Sequence, residues 1–177
     1  MGKGGDFERE VAKCLTCWLI GKEKPYQFWR MPGSGGLSTI HEENKNLTGD
    51  IAALTPEAEF LTNIFNIECK TGYPQTSFWQ HFKSIKNFNI EIFWKQCVED
   101  SIRAAKFPML VYRKLRQQPI IGITSYCSDK LHTKNLRHMK IDFGIYNEDK
   151  LPSICFYNFQ EFWTFVTPNA IKRISNG

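Results

Sequence analysis

Two short stretches decide the fold: Gly49-Asp50-Ile51-Ala52-Ala53-Leu54 and Ile64-Phe65-Asn66-Ile67-Glu68-Cys69-Lys70. Ile51–Leu54 and Ile64–Lys70 read as strands, and Thr55-Pro56 with the acidic, partly helical segment after it turns the chain between them, which predicts an antiparallel hairpin. Side chains alternate along a strand, so Glu68 and Lys70 project from one face and Cys69 from the other. A hairpin symmetric about residue 59 sets Asp50 opposite Glu68. Two carboxylates and an ammonium then share one patch. Like charges facing each other disfavour a sheet, whereas a hard divalent cation removes the repulsion, and Mg²⁺ takes one or two carboxylates, waters and a substrate phosphate. The same residues admit a plainer reading, in which Glu68 and Lys70 are a same-face ion pair and Asp50 is a turn residue.

Upstream, Tyr26 to Met31 reads as a strand, broken by Pro32-Gly33-Ser34-Gly35-Gly36 and followed by a polar loop to Thr48. A first helix is expected from Gly5 to Ile20, where Phe7, Val11, Cys14, Leu15 and Trp18 recur at helical spacing and Asp6 complements the N-terminal dipole. At about 100° per residue Glu8 falls on the edge of that apolar stripe and Glu10 well outside it. Glu8 is therefore the acid expected to face the sheet, against a plain alternative of exposure or an ion pair with Arg9. Cys14-x-x-Cys17 has no second metal-ligand spacing beside it and is expected to supply core thiols.

Downstream, a second helix is strongest from Asn89 to Lys106, with Phe93, Trp94, Cys97, Val98, Ser101, Ile102 and Ala105 as its apolar face and Pro108 ending it. Strands follow at Met109–Tyr112 and Ile120–Thr124, joined by the basic turn Arg113 to Gln118. In the tail, Lys140–Tyr146 and Ser153–Tyr157 read as strands and Phe159–Val166 as a short helix. No linker or repeat interrupts this order, so one α/β domain is expected, with a core over residues 1–125 and a C-terminal extension over 126–177 packed on it. Phe156, Tyr157, Phe159, Phe162, Trp163 and Phe165 crowd the tail. Packing against the sheet or at a dimer interface is expected of them, with stacking on unpaired bases as the sharper alternative.

The composition narrows the function classes. A chain of 177 residues with 42 % hydrophobic and 23 % charged residues is an ordinary globular one, which excludes disorder and collagen-like repeats. The first residues run straight into a charged segment, so neither a secretory signal nor myristoylation is expected. The run Ile154–Ile171 contains Glu161 and Pro168 and reads as core, not as a membrane span. Six scattered cysteines suit a reducing, cytoplasmic setting. The net charge of +5 is uneven: residues 1–70 carry 8 Lys+Arg against 10 Asp+Glu, and residues 71–177 carry 15 against 8. Arg103 to Lys140 holds nine basic residues and the single acid Asp129. A polyanion partner is one reading of that run and a solvated face the other.

Phe7-Glu8-Arg9 in the first helix, Arg30-Met31-Pro32-Gly33-Ser34-Gly35 after the first strand, Gly49-Asp50-Ile51 and Ile67-Glu68-Cys69-Lys70 together resemble the PD-(D/E)xK nuclease superfamily. Within it the pattern is similar to archaeal-type Holliday-junction resolvases, over about residues 4–113. The resemblance implies a restriction-endonuclease-like core: helix, three-stranded antiparallel start, helix, further strands. It implies that Asp50 and Glu68 bind Mg²⁺, with Mn²⁺ as a substitute, that Glu8 completes the metal or water shell, and that Lys70 orients the attacking water or stabilises charge on the phosphate. Ser34 would sit near the scissile phosphate and Arg30 near the DNA backbone. Gln96, on the polar face of the second helix, resembles a glutamine present there in some relatives. The basic residues Arg113, Lys114 and Arg116 are expected to track phosphates. Gly49 stands where the pattern has proline, and extended backbone is all the position is expected to need.

The implied function is a Mg²⁺-dependent endonuclease that resolves branched DNA in recombination or repair, working as a homodimer because symmetric cuts in a four-way junction need two active sites. A same-fold nuclease acting on duplex or single strands in restriction, repair or phage replication is the alternative within the enzyme class. A non-catalytic nucleic-acid-binding module is the alternative outside it, and the joint presence of Glu8, Asp50, Glu68 and Lys70 argues against it. Carboxylate-held metal beside a lysine supplies what phosphodiester hydrolysis requires, namely a nucleophilic water and neutralisation of the anionic transition state.

Overall fold

The computed structural model describes residues 3–31, 48–73, 89–143 and 151–174. Helix α1 (Lys3–Ile20) leads into β1 (Phe28–Arg30), which pairs antiparallel with β2 (Ile51–Ala53) in a two-stranded sheet. A 3-10 turn (Pro56–Ala58) and the short helix α2 (Glu59–Ile64) then deliver the chain to β3 (Phe65–Gly72). Helix α3 (Asn89–Ala104) precedes β4 (Phe107–Lys114) and β5 (Ile120–Thr124). The rest comprises α4 (Ser125–Lys130), a 3-10 turn (Thr133–Asn135), β6 (His138–Ile141), β7 (Ile154–Asn158), α5 (Phe159–Phe165) and α6 (Pro168–Ile174). Five strands make one mixed sheet in the order β3-β4-β5-β7-β6, with β3 and β4 parallel and the other neighbours antiparallel. No helix among the described residues is long and apolar enough to cross a membrane.

The expected β2–β3 hairpin is absent: the turn and helix between the two strands bury Ala58, Leu61 and Ile64 in the core, and each strand pairs elsewhere. β2 takes β1 as its partner and β3 takes β4, Glu68 lying opposite Leu110. The strands nevertheless touch at one point. Asp50 N–H donates to Ile67 O at 2.8 Å, and Met31 N–H donates to Asp50 O at 2.8 Å. Asp50 thus joins the small sheet to the outer edge of the large one.

Alternation along the strands separates two cores. Phe65, Ile67, Cys69, Met109, Val111, Ile121 and Ile123 face α1, α2 and the C-terminal helices, whereas Leu110, Tyr112, Ile154 and Phe156 face α3. The buried sector of α1 is Phe7, Val11, Ala12, Leu15 and Thr16. It is turned toward Ala12 relative to expectation, which leaves Cys14 exposed and Cys17 half-buried, so neither is a core thiol. Thr16 is tolerated inside because its hydroxyl is satisfied: it donates to Ala12 O (3.0 Å) and accepts from Gln27 N (3.1 Å) and Phe28 N (3.3 Å), fastening the entry of β1 to the helix.

Helix α3 ends two residues before the expected Lys106. Ala105 is left-handed (φ 54°), and Lys106 N–H donates to Ser101 O (2.9 Å) while Ala105 N–H donates to Ile102 O (3.1 Å), a Schellman closure. Ala104 is therefore in the core, and Ile102 and Ala105 are exposed, contrary to the expected apolar face. Pro108 does not end the helix; it lies inside β4, one residue before β5 pairing begins at Met109. Of the tail aromatics, Phe156, Tyr157, Phe159, Phe162 and Trp163 are buried and Phe165 is exposed. Packing accounts for the five buried rings.

Candidate functional site

Strand β3 is an edge strand, so its outer N–H and C=O groups need partners. Asp50 provides two. Its backbone N–H reaches Ile67 O, and its carboxylate Oδ2 accepts from Cys69 N–H at 2.7 Å. That clamp places the Asp50 carboxylate beside Glu68, the residue between the two bonded positions. Strand alternation turns Glu68 and Lys70 together toward α3, where Lys70 Nζ is 2.7 Å from Glu68 Oε1 and 5.9 Å from the Phe93 ring centroid. Asp50 (6 % exposed) and Glu68 (7 %) are both buried.

The clamp depends on Gly49, whose φ is +84°. A Cβ there would meet Asn66 Oδ1 at 2.8 Å and Ile67 O at 2.9 Å. The position therefore needs a left-handed, side-chain-free residue, not the merely extended backbone expected from the sequence, and a proline fixed near φ −65° would not fit it.

Glu8 approaches from α1. Arg30 Nε lies 3.0 Å from Glu8 Oε2, an ion pair whose angle falls outside hydrogen-bonding range, since neither atom has a hydrogen-bond partner among the described residues. Arg9 pairs instead with Asp6. Gly5 leaves room for the Arg30 guanidinium, because a Cβ there would come within 2.7 Å of Arg30 Nη1.

Burial and the repulsion of Asp50 raise Glu68 and Glu8. Glu68 is pushed from 4.5 to about 7, first by desolvation and then by Asp50, against the pull of Lys70. Glu8 is raised by desolvation and by Asp50, against Arg30. For Lys70, burial opposes the charge, but the attraction and hydrogen bond of Glu68 prevail and raise its pKa. A carboxylate pair held in this state binds a proton or a cation more readily than it stays doubly charged.

A cleft of about 470 Å³ opens over these groups, lined by Glu8, Asp50, Glu68, Lys70 and Gln96 among others. Gln96 enters it from the polar face of α3. Tyr73 and Asp100, which carry no expectation from the sequence, line the same cleft, as does Arg103, the first residue of the basic run. Asp100 follows Gln96 by one helical turn, a spacing that shares its face, so the signal was present once Gln96 was placed. Asp100 pairs with Arg103, and desolvation raises its carboxyl. Among the described residues, no three His, Cys, Asp or Glu side chains are gathered so as to hold a metal ion. The donor set present is the Asp50–Glu68 pair, which suits an ion completed by water and phosphate.

The basic residues do not assemble as one surface. Arg113 lies on the opposite face of the sheet, 2.6 Å from Glu10 Oε2 and 4.3 Å from the Phe7 ring centroid. Lys114 ends β4 opposite Gly72, and Arg116 is exposed in the next turn with φ 63°. Lys134 and Lys140 are paired with Asp129 (3.0 Å) and Asp142 (3.1 Å). Ser34 and the loop 41–47 lie outside the described residues. A larger cleft of about 600 Å³ on the other flank of α1 is walled by Phe7, Val11, Trp18, Phe159 and Trp163 and contains none of Asp50, Glu68 or Lys70.

Comparison with curated proteins and with solved structures returns no match. A family model does match, over residues 1–173, which takes in the carboxylate edge, the α/β core around it and the C-terminal strands and helices. A match of that extent places the chain in the family described as "Phage putative PDDEXK endonuclease".

Proposed function

We propose that this member of a PDDEXK endonuclease family is a Mg²⁺-dependent endodeoxyribonuclease that cuts branched DNA, resolving four-way junctions as a homodimer in the manner of archaeal-type Holliday-junction resolvases. The observation that carries the nuclease reading is the edge-strand clamp, in which Asp50 and Glu68 lie side by side in a buried cleft with Lys70 2.7 Å from Glu68. Asp50 and Glu68 would hold the divalent ion, for which Mn²⁺ substitutes, and Glu8 would complete its water shell on release from Arg30. The ion supplies an acidified water and charge neutralisation at the phosphate. Lys70, paired with Glu68 at the cleft, would orient the water or stabilise charge on the phosphate. Gln96 borders the same cleft, Arg30 and Ser34 serve the DNA strand near the cut, and Lys114 and Arg116 at the end of β4 extend the phosphate track. Arg113 joins them only by leaving Glu10. Residues 126–177 are read as an extension of the same domain, and an infected cell or its nucleoid as the setting.

The test is a cleavage assay of wild type and Asp50→Asn on a labelled four-way junction, plain duplex and single strand, with Mg²⁺ or EDTA. Paired symmetric nicks confined to the junction support the full reading. Equal cutting of duplex replaces junction resolution with a restriction- or repair-type nuclease, and binding without metal-dependent cutting refutes both.

A further inference from the structure

Five of the tail aromatics are buried and Phe165 alone of that cluster is exposed, whereas β1 presents two adjoining rings. Along β1, Phe28 is fully buried and Arg30 turns to Glu8, so alternation sends Trp29, between them, outward to 39 % exposure. The register sets Ala52 opposite Trp29, so the partner strand contributes only a methyl group beside the indole. Tyr26, 40 % exposed, stands next to it with ring centroids 5.7 Å apart at 60°. Lys24 Nζ is 5.6 Å from the Tyr26 ring centroid, and Lys22, two residues earlier in the chain, is exposed. The only acid in residues 21–31, Glu23, is tied to Lys13 at 2.8 Å.

One exposed aromatic needs no explanation. Two adjoining rings do need one when a lysine lies against them and the next residue is the arginine paired with Glu8, which lines the carboxylate cleft. We propose that Tyr26 and Trp29 form a stacking platform for unpaired bases of the DNA substrate, with Lys22 and Lys24 meeting the adjacent phosphates. The inference rests on the nuclease reading and sharpens its substrate: DNA with a single-stranded segment beside the cleavage point. Every base presents a π-face, so such a platform accepts any sequence, and its cations favour a polyanion over an apolar partner. Two rings and a methyl group fall far short of the roughly 800 Å² per partner that a stable protein contact buries.

Binding measured in EDTA separates the platform from the chemistry. The probes are labelled oligo(dT), the same strand with abasic sites in place of bases, and a blunt duplex. Trp29→Ala is expected to weaken binding of intact oligo(dT) roughly 5- to 150-fold and Tyr26→Ala to weaken it less, both leaving duplex binding unchanged. Trp29→Phe should restore binding to within about threefold, which shows that a folding defect is not the cause. Wild type should bind the abasic strand as weakly as Trp29→Ala does, and Trp29→Ala should not distinguish the two strands. Unchanged oligo(dT) binding by Trp29→Ala, no penalty for abasic sites, or an equal loss on duplex overturns the platform. A wild type that shows this binding pattern yet cuts no DNA with Mg²⁺ refutes the nuclease reading and leaves the platform standing.

Discussion

The two edges of the five-stranded sheet handle charge in opposite ways. At the β3 edge, Asp50 and Glu68 are buried side by side, and Glu68 is held near neutrality by desolvation and repulsion. At the β6 edge, His138 and Lys140 stand in solvent, and Lys140 meets Asp142 at 3.1 Å across a half-exposed pair. Charge on an open edge blunts edge-to-edge association and is nearly free in water. Two carboxylates inside a cleft destabilise the fold unless something else binds them. The contrast teaches that local energetic penalty, not charge density, marks the edge proposed to do the work, although the basic run from Arg103 to Lys140 is the more conspicuous feature of the sequence.

The sharpest way to break the contrast is to remove one acid from the β3 edge. Asp50→Asn should reduce metal-dependent cleavage by about 10²- to 10³-fold or more, the usual loss for one group that meets developing charge. Lys70→Ala should abolish cleavage with DNA binding near wild type, since the proposed mechanism has the ammonium act on the reacting phosphate and leaves the bulk of affinity to other cations. Steady-state cleavage with parallel filter-binding checks both, and a fully active Lys70→Ala enzyme would refute the assigned chemistry.

The penalty itself is measurable as a pH dependence. Glu68 has its folded pKa raised from 4.5 to about 7, so between these values the folded chain keeps a proton that the unfolded chain has lost. Stability of the metal-free protein therefore falls as pH rises through that window, by up to about 1.4 kcal/mol per unit, and levels off above it. Divalent-ion affinity should run the opposite way, increasing from about pH 6 to pH 8 because the proton competes with the ion. Urea unfolding in EDTA across roughly pH 5 to 8 should show the decline in wild type and a flatter profile in Glu68→Gln. The same slope in both proteins would move the titration to another group.

Gly49 gives a smaller, backbone-level test of the same edge. Gly49→Ala places a Cβ 2.9 Å from Ile67 O at φ +84°, which should lower stability by about 1 to 3 kcal/mol and reduce cleavage by moving Asp50. Gly49→Pro, which restores the superfamily's usual residue, should be worse because proline cannot adopt that φ. A proline variant as stable as wild type in a thermal melt would show that the left-handed turn is dispensable.

Much of this edge was legible in the sequence because it depends on alternation and one short connection. Glu68 and Lys70 share a face by the two-residue period of a strand, and Glu8 lies near the apolar side of α1 by the helical period. The nearness of Asp50 to Glu68 was also expected, but through a hairpin that does not exist; a 2.7 Å side-chain bond to Cys69 N–H replaces it. The parallel pairing of β3 with β4 was not legible, since the partners lie on either side of α3 and nothing local specifies a non-local ladder. Nor was the insertion of β7 between β5 and β6. Helix α4 escaped notice because Ser125–Lys130 is too short for an apolar period, and what starts it is a cap, Thr124 Oγ1 accepting from Cys127 N–H at 3.1 Å.

The smallest effect is expected at the far edge, and it is the control that gives the larger ones their meaning. Lys134 and Lys140 belong to the basic run, and a DNA-binding role for the whole run would make their loss costly. Each is paired with an exposed acid in water, where such pairs contribute about 0 to 1 kcal/mol. Lys140 also lies far from the carboxylate edge, because β6 is separated from β3 by three strands spaced about 4.8 Å apart. Lys134→Ala and Lys140→Ala should therefore shift stability by no more than about 0.5 kcal/mol and leave junction cleavage within about twofold. Arg116→Ala, at the exposed turn next to the end of β4, should instead weaken DNA binding and shallow its salt dependence by about one counterion. If Lys140→Ala matched Arg116→Ala in the salt slope of binding, the DNA would have to span both edges of the sheet, and the separation of working edge from solvated edge would fail.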